Sequence, residues 1–178
     1  MDHERTLTAS QFPDDDGTAA AQTRRALATA VAPDSPEDYL QAVAALCLDR
    51  VLVPVVASAT KLAQSDNGIS SDKEAEMSVV LLQSADGRRA MLAFTGMDAL
   101  QSWNADARPV PVTLDVAAQA AEADGAGALL VDFAGPYPLV IEGDVLAGLA
   151  RGHRLVQLDD GSFGWAVVQP AADEIQEA

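Results

Sequence analysis

Cys47 is the chain's single thiol and its first candidate nucleophile, but that chemistry needs a neighbouring base and a depressed thiol pKa. Its spacing points elsewhere. Leu40, Val43, Ala44 and Cys47 recur at i, i+3, i+4 and i+7, the apolar stripe that a helix turns toward a core. There, a free cysteine acts as a small hydrophobe. The two histidines, His3 and His153, lie far apart with no His-x-x-x-His spacing, and one cysteine cannot build a cysteine-paired zinc site. No metal and no cofactor is expected. Asp124-Gly125-Ala126-Gly127 looks like a dinucleotide loop, yet it follows a helix and precedes a strand, the reverse of the order that aims a helix N-terminus at phosphate. It is read as a helix stop, and Gly161-Ser162-Phe163-Gly164 as a turn entering a strand. No Gly-x-Ser-x-Gly elbow and no Walker-type Gly-Lys-Ser or Gly-Lys-Thr is present.

Carboxylates at Asp115, Asp132, Glu142 and Asp144 fall near element ends, where caps and solvated turns account for them. Trp103 and Trp165 could form an aromatic contact surface, but with aromatics at 4% Trp103 is expected in the core. The best place for a ligand or partner is the turn Thr95-Gly96, which leads from a strand into a helix N-terminus with unpaired N–H groups. If the strand ending at Phe133 runs parallel to the one ending at Phe94, the Ala134-Gly135-Pro136 turn emerges at the same edge. Arg108 would then supply a cation, although pairing with an acidic neighbour explains it as well. The simpler account is that Thr95 caps the helix, with Asp98 three residues on, and Gly96 eases the turn.

These residues need a scaffold, and 178 residues supply one domain with one core. Hydrophobic residues at 49% and charged residues at 21% exclude wholesale disorder, collagen and a coiled-coil rod. Eleven basic against 27 acidic residues leave a net charge of −16, which repels phosphate backbones and anionic membranes. No apolar stretch approaches the roughly 20 residues that span a bilayer. The start, Met1-Asp2-His3-Glu4-Arg5, lacks the basic and apolar regions of a secretory signal, so a cytoplasmic protein is expected.

Along the chain, residues 1–36 read as a mobile polar tail, transiently helical around 18–31, and 170–178 as an acidic tail. Ser35-Pro36-Glu37-Asp38 starts a helix to about Leu48, and Val51–Val56 follows as a strand whose Pro54 predicts an edge or a bulge. The polar stretch 57–76 is either functional or disordered. Asp86-Gly87 joins two apolar runs as a hairpin, and a short helix runs from Thr95 through Trp103. Val110–Val112 forms a short strand, Thr113 caps a helix over Leu114–Ala123, and Gly125 stops it. Ala128–Phe133 and Leu139–Glu142 are strands, Asp144 opens a helix ending near Arg151, and Asp159-Asp160-Gly161 turns a terminal hairpin. Alternating helices and strands with hairpins imply a single α/β (α+β) domain over 37–169, a mixed sheet with covering helices.

The run Gly87-Arg88-Arg89-Ala90-Met91-Leu92-Ala93-Phe94-Thr95-Gly96, with Leu100, Trp103 and Ala107-Arg108-Pro109-Val110-Pro111-Val112, resembles the SseB N-terminal domain family in its actinobacterial form. Ala134-Gly135-Pro136 through Val140-Ile141-Glu142-Gly143, then Leu146 and Leu149-Ala150, fits the same pattern, and the resemblance covers roughly residues 37 to 150. It implies a compact α/β domain of a family named for enhanced serine sensitivity, with no agreed reaction or catalytic residues to carry over. The functional expectation is therefore a non-enzymatic, cytoplasmic protein-interaction or regulatory module. The alternative is a domain that binds a small anion, or a weak enzyme, at Thr95 and Gly96. A protein partner is compatible with this reading, and neither nucleic acid nor membrane is expected as one.

Overall fold

Ser35 begins the helix that the sequence specifies most clearly. Its Oγ accepts from the Asp38 N–H at 3.2 Å and Pro36 occupies the first turn, so α2 runs Pro36–Cys47 with Val43, Ala44 and Cys47 buried. The computed structural model describes residues 12–31, 35–58 and 76–167. Ahead of α2 lies α1, Ala21–Ala30; after it come β1 (Arg50–Ser58), β2 (Glu76–Val79), β3 (Leu81–Gln83) and β4 (Arg89–Ala93). They are followed by α3 (Met97–Trp103), β5 (Arg108–Thr113), α4 (Leu114–Ala123), β6 (Ala128–Val131) and β7 (Leu139–Glu142). The described chain ends with α5 (Gly143–Ala150), β8 (His153–Gln157) and β9 (Phe163–Val167).

This is one α+β domain of mixed strand orientation. β1 lies between antiparallel β2 and β5, while the second sheet has the order β3-β4-β6-β7, with β4 and β6 parallel. The sheets are stitched where Leu52 and Phe94 exchange backbone hydrogen bonds of 2.7 and 2.9 Å. The expected hairpin at Asp86-Gly87 is present, with Leu81 opposite Met91 and Gly87 at φ +86°, and so is the terminal hairpin of β8 and β9. Alternation along β4 feeds two cores. Met91 and Ala93 face the main core with Val43, Cys47, Leu129, Ile141 and Leu149, whereas Leu92 and Phe94 pack with Ala99 and Leu100 of α3.

Several expectations need correction. Residues 12–31 are not a tail: α1 packs on α2, and Leu27 is 1% exposed in the main core. Of the polar stretch 57–76, Ala57 and Ser58 belong to β1 and Glu76 to β2, while 59–75, like residues 1–11 and the acidic end at 170–178, lie outside the described residues. Pro54 sits on the middle strand of its sheet, not on an edge; it faces Pro109, so two residues without an N–H meet at one rung. Thr113 precedes α4 without a side-chain cap bond. Thr95 does not cap α3, whose N-cap position is Gly96, because its hydroxyl has stronger partners. The strand expected to reach Phe133 ends at Val131, since Asp132 takes φ +49°.

Candidate functional site

The parallel pair fixes the geometry. Ala93 lies beside Val131, so β4 and β6 release Thr95-Gly96 and Asp132 through Gly135 at one sheet end, meeting the sequence condition for a shared edge. Asp132 is 2% exposed, and its N–H donates to the Ala93 carbonyl at 2.9 Å. Its carboxylate accepts from the Thr95 N–H at 2.8 Å and from the Thr95 hydroxyl at 2.6 Å. Burial nevertheless pushes the Asp132 carboxyl above the ordinary aspartate range; the Thr95 bonds and the Arg24 charge offset part of that rise, and Asp98 adds to it.

Two arginines complete the cluster. Arg24 of α1 donates from Nε to Thr95 Oγ1 at 2.6 Å and from Nη2 to Asp98 Oδ1 at 2.7 Å, and its Nε lies 3.5 Å from Asp132. Arg50, the first residue of β1 and 5% exposed, donates from Nη1 to the Thr95 carbonyl. Its other edge forks onto Asp15, with Nε to Oδ2 at 2.9 Å and Nη2 to Oδ1 at 2.8 Å, and Nη2 also reaches the Thr18 carbonyl at 2.9 Å. That fork holds the Asp15 carboxyl below its usual range. Thr95 thus joins three charged residues: its amide and hydroxyl donate to Asp132, its hydroxyl accepts from Arg24 and its carbonyl accepts from Arg50.

This arrangement closes the edge that the sequence suggested as a ligand site. Segment 12–20 lies over it: the Met97 N–H donates to the Gly17 carbonyl at 2.8 Å, and a Cβ on Gly96 would stand 2.9 Å from the Ala19 nitrogen. Thr95, Gly96 and Gly135 do come together, with the Gly135 N–H turned back to the Asp132 carbonyl at 2.7 Å. Arg108 does not join them. It is exposed on β5 opposite Val55, three residues along β1 from the Leu52 that meets Phe94. Arg24 and Arg50 hold the position assigned to it, and sequence reading missed both. A signal existed for Arg50, an arginine opening an otherwise apolar strand; Arg24 sat in an alanine-rich run that read as tail.

The remaining candidates sit in structural contacts or face solvent. Cys47 is buried, and burial raises its thiol pKa to about 11. Asp115 pairs with Arg154 at 3.3 Å, Glu142 and Asp144 are exposed, and the His153 ring lies tilted against Trp165 at 6.3 Å. Trp103 stacks on Phe94 at 5.7 Å as a partly buried member of the second core, while Trp165, 43% exposed, lies over Gly148 of α5. Among the described residues no group of three or more His, Cys, Asp or Glu side chains could hold a metal. None of their helices is long and apolar enough to cross a membrane. Phe133, Tyr137 and Val140 stand 49%, 38% and 46% exposed around the turn from β6 to β7.

Residues 23–148 match the SseB protein N-terminal domain family, and the chain belongs to it. No curated protein and no solved structure matches the chain.

Proposed function

We propose that this SseB-domain chain is a non-enzymatic protein-interaction or regulatory module of the cytoplasm, of the actinobacterial branch of its family, and that its contact surface is the β6–β7 turn. The exposure of Phe133, Tyr137 and Val140 around Gly135 carries this reading. The chain has only four Phe, two Tyr and two Trp, yet two of these aromatics stand in solvent within five residues of sequence. Exposed aromatics are the side chains that most often anchor protein contacts, because they bury much area for little rotamer entropy. The net charge of −16 favours a protein over nucleic acid or an anionic membrane.

The rival reading, a small-anion site at Thr95 and Gly96, has less support, since α3's first amide is bonded to Gly17 and Arg108 stands apart. The test compares the full chain with Phe133→Ser/Tyr137→Ser, checked for an unchanged melting temperature, in quantitative affinity purification from native lysate. Partners retained by Arg108→Ala and lost from the double variant are the expected result. Partners retained equally by all three proteins would overturn the reading, as would a metabolite that stabilises the wild type while no protein partner depends on the turn.

A further inference from the structure

Arg50 is built like a receptor. Its backbone is fixed at the start of β1, opposite Thr113, and its N–H donates to Asp49 Oδ1 at 2.8 Å. Its Nη1 is tied to the Thr95 carbonyl, inside the domain. Every bond from its Nε and Nη2 goes to segment 12–20: both carboxylate oxygens of Asp15, and the Thr18 carbonyl. One edge of the guanidinium is therefore anchored to the body of the domain, while the opposite fork, the shape that recognises a carboxylate bidentately, is filled among the described residues only by the strap.

The strap is unlike the elements that fill the core. Residues 12–20 form neither helix nor strand and lie before the matched family domain, whereas Arg50, Thr95 and Asp132 lie within it. They cover the end of the parallel pair β4 and β6, the end of an α/β sheet at which ligands sit. A cleft of about 370 Å³ remains between strap and body, with Phe12, Asp15, Asp49 and Arg50 on its walls. The strap thus bridges a concavity and places one carboxylate on the buried cation at its floor.

We infer that the Arg50 fork is a recognition site for the carboxylate of an acidic linear peptide, occupied in cis by Asp15, and that lifting of segment 12–20 opens it to such a segment in trans. Phe12-Pro13-Asp14-Asp15-Asp16-Gly17-Thr18 is then the template of the ligand: a short stretch that turns at Pro13-Asp14 and again at Gly17, with an aspartate at its centre. Lifting the strap leaves the Arg50–Thr95 bond and the Asp132–Thr95 pair in place, so the fork stays oriented for the incoming carboxylate. This inference does not depend on the β6–β7 surface, and neither Phe133 nor Tyr137 enters its test.

The probe is a fluorescein-labelled peptide of the sequence of residues 12–18, titrated by anisotropy against full-length wild type and full-length Asp15→Ala. Asp15→Ala is expected to bind saturably. Wild type is expected to bind about 10- to 100-fold more weakly, because its apparent affinity scales with the open fraction. A peptide with alanine in place of Asp15 is expected to lose binding, and acetate, but not chloride, to raise the melting temperature of Asp15→Ala. A folded Asp15→Ala that ignores the peptide, or binds it equally with and without the central aspartate, overturns the inference. Should Asp15→Ala be unfolded, Asp15→Asn, which keeps an acceptor for Arg50, takes its place. If both are unfolded and acetate restores neither, Asp15 is a fixed strut and the inference falls.

Discussion

Replacing Thr95 by valine tests whether that residue is the junction of a buried network or a helix cap. The side chain is fully buried, and valine has nearly its shape, so packing changes little while the hydroxyl is lost. Two bonds go with it, each 2.6 Å long and each to an ionised group: from Arg24 Nε and to Asp132 Oδ2. Asp132 keeps the Thr95 N–H and Arg24 keeps Asp98, so neither charge is stranded outright. Bonds to charged groups contribute about 1.5–3 kcal/mol each, and allowing for the contacts that remain the expected loss is about 3 kcal/mol. Thr95→Ser keeps the hydroxyl and loses one methyl, for about 1 kcal/mol. Urea unfolding should therefore show a midpoint for Thr95→Val about 1 M below that of Thr95→Ser at constant slope, given slopes of about 1–3 kcal/mol/M. Combining Thr95→Val with Arg24→Met should show coupling of about 1 kcal/mol or more, because both remove the same bond. A cap would give a loss of about 1 kcal/mol and no coupling to Arg24. Equal midpoints for valine and serine, or strict additivity with Arg24→Met, would refute the junction.

Acid unfolding should separate Asp15 of the strap from the buried Asp132. Asp15's carboxyl is lowered by the Arg50 fork, so its stabilisation is complete above the ordinary value of 3.8 and is lost as pH falls through its lower folded value. Asp15→Asn should accordingly shrink the drop in urea midpoint between about pH 5 and about pH 3. Asp132 is raised by burial and has the opposite sign, its penalty relieved as pH falls through its raised folded value, so Asp132→Asn should deepen that drop. Cys47, with its thiol raised to about 11, should resist a disulfide-exchange reagent at about pH 8 in the native protein and react on unfolding in urea. Fast native labelling would contradict its burial.

What the sequence revealed and what it hid divide along a physical line. Elements whose formation is local were legible: Ser35 and Pro36 open α2, the stripe through Cys47 turns inward, and Asp86-Gly87 and Asp159-Asp160-Gly161 turn hairpins. The parallel meeting of the strand ends entered the sequence reading only as a condition, and the pairing of β4 with β6 meets it. The site was less legible because its side-chain hydrogen bonds join residues 32 to 74 positions apart, and a pair at that distance leaves no periodic trace. Thr95 shows how local and tertiary signals compete. With Asp98 three residues on it fits a cap, yet buried Asp132 offers its hydroxyl a charged acceptor in a setting where an unpaired carboxylate would be costly, and that partner wins.

α1 was hidden for a related reason. Ala21–Ala30 carries one large apolar side chain, Leu27, too little for pattern reading to distinguish a docked helix from a polar tail. Its position is fixed by Leu27 and by the polar contacts of its neighbours in sequence, Thr23 to Asp49 at 2.9 Å and Arg24 to the Thr95 hub. In a chain with few basic residues, two arginines held against one threonine, Arg50 buried and Arg24 partly so, are a concentrated use of cation. Where charge is scarce, its placement reports the constraint that matters, and here the constraint is the attachment of residues 12–31 to the ends of β4 and β6. An account of this domain that began at the family boundary, residue 23, would keep Arg24 but omit Asp15, and would leave the Arg50 fork without the carboxylate that its geometry demands.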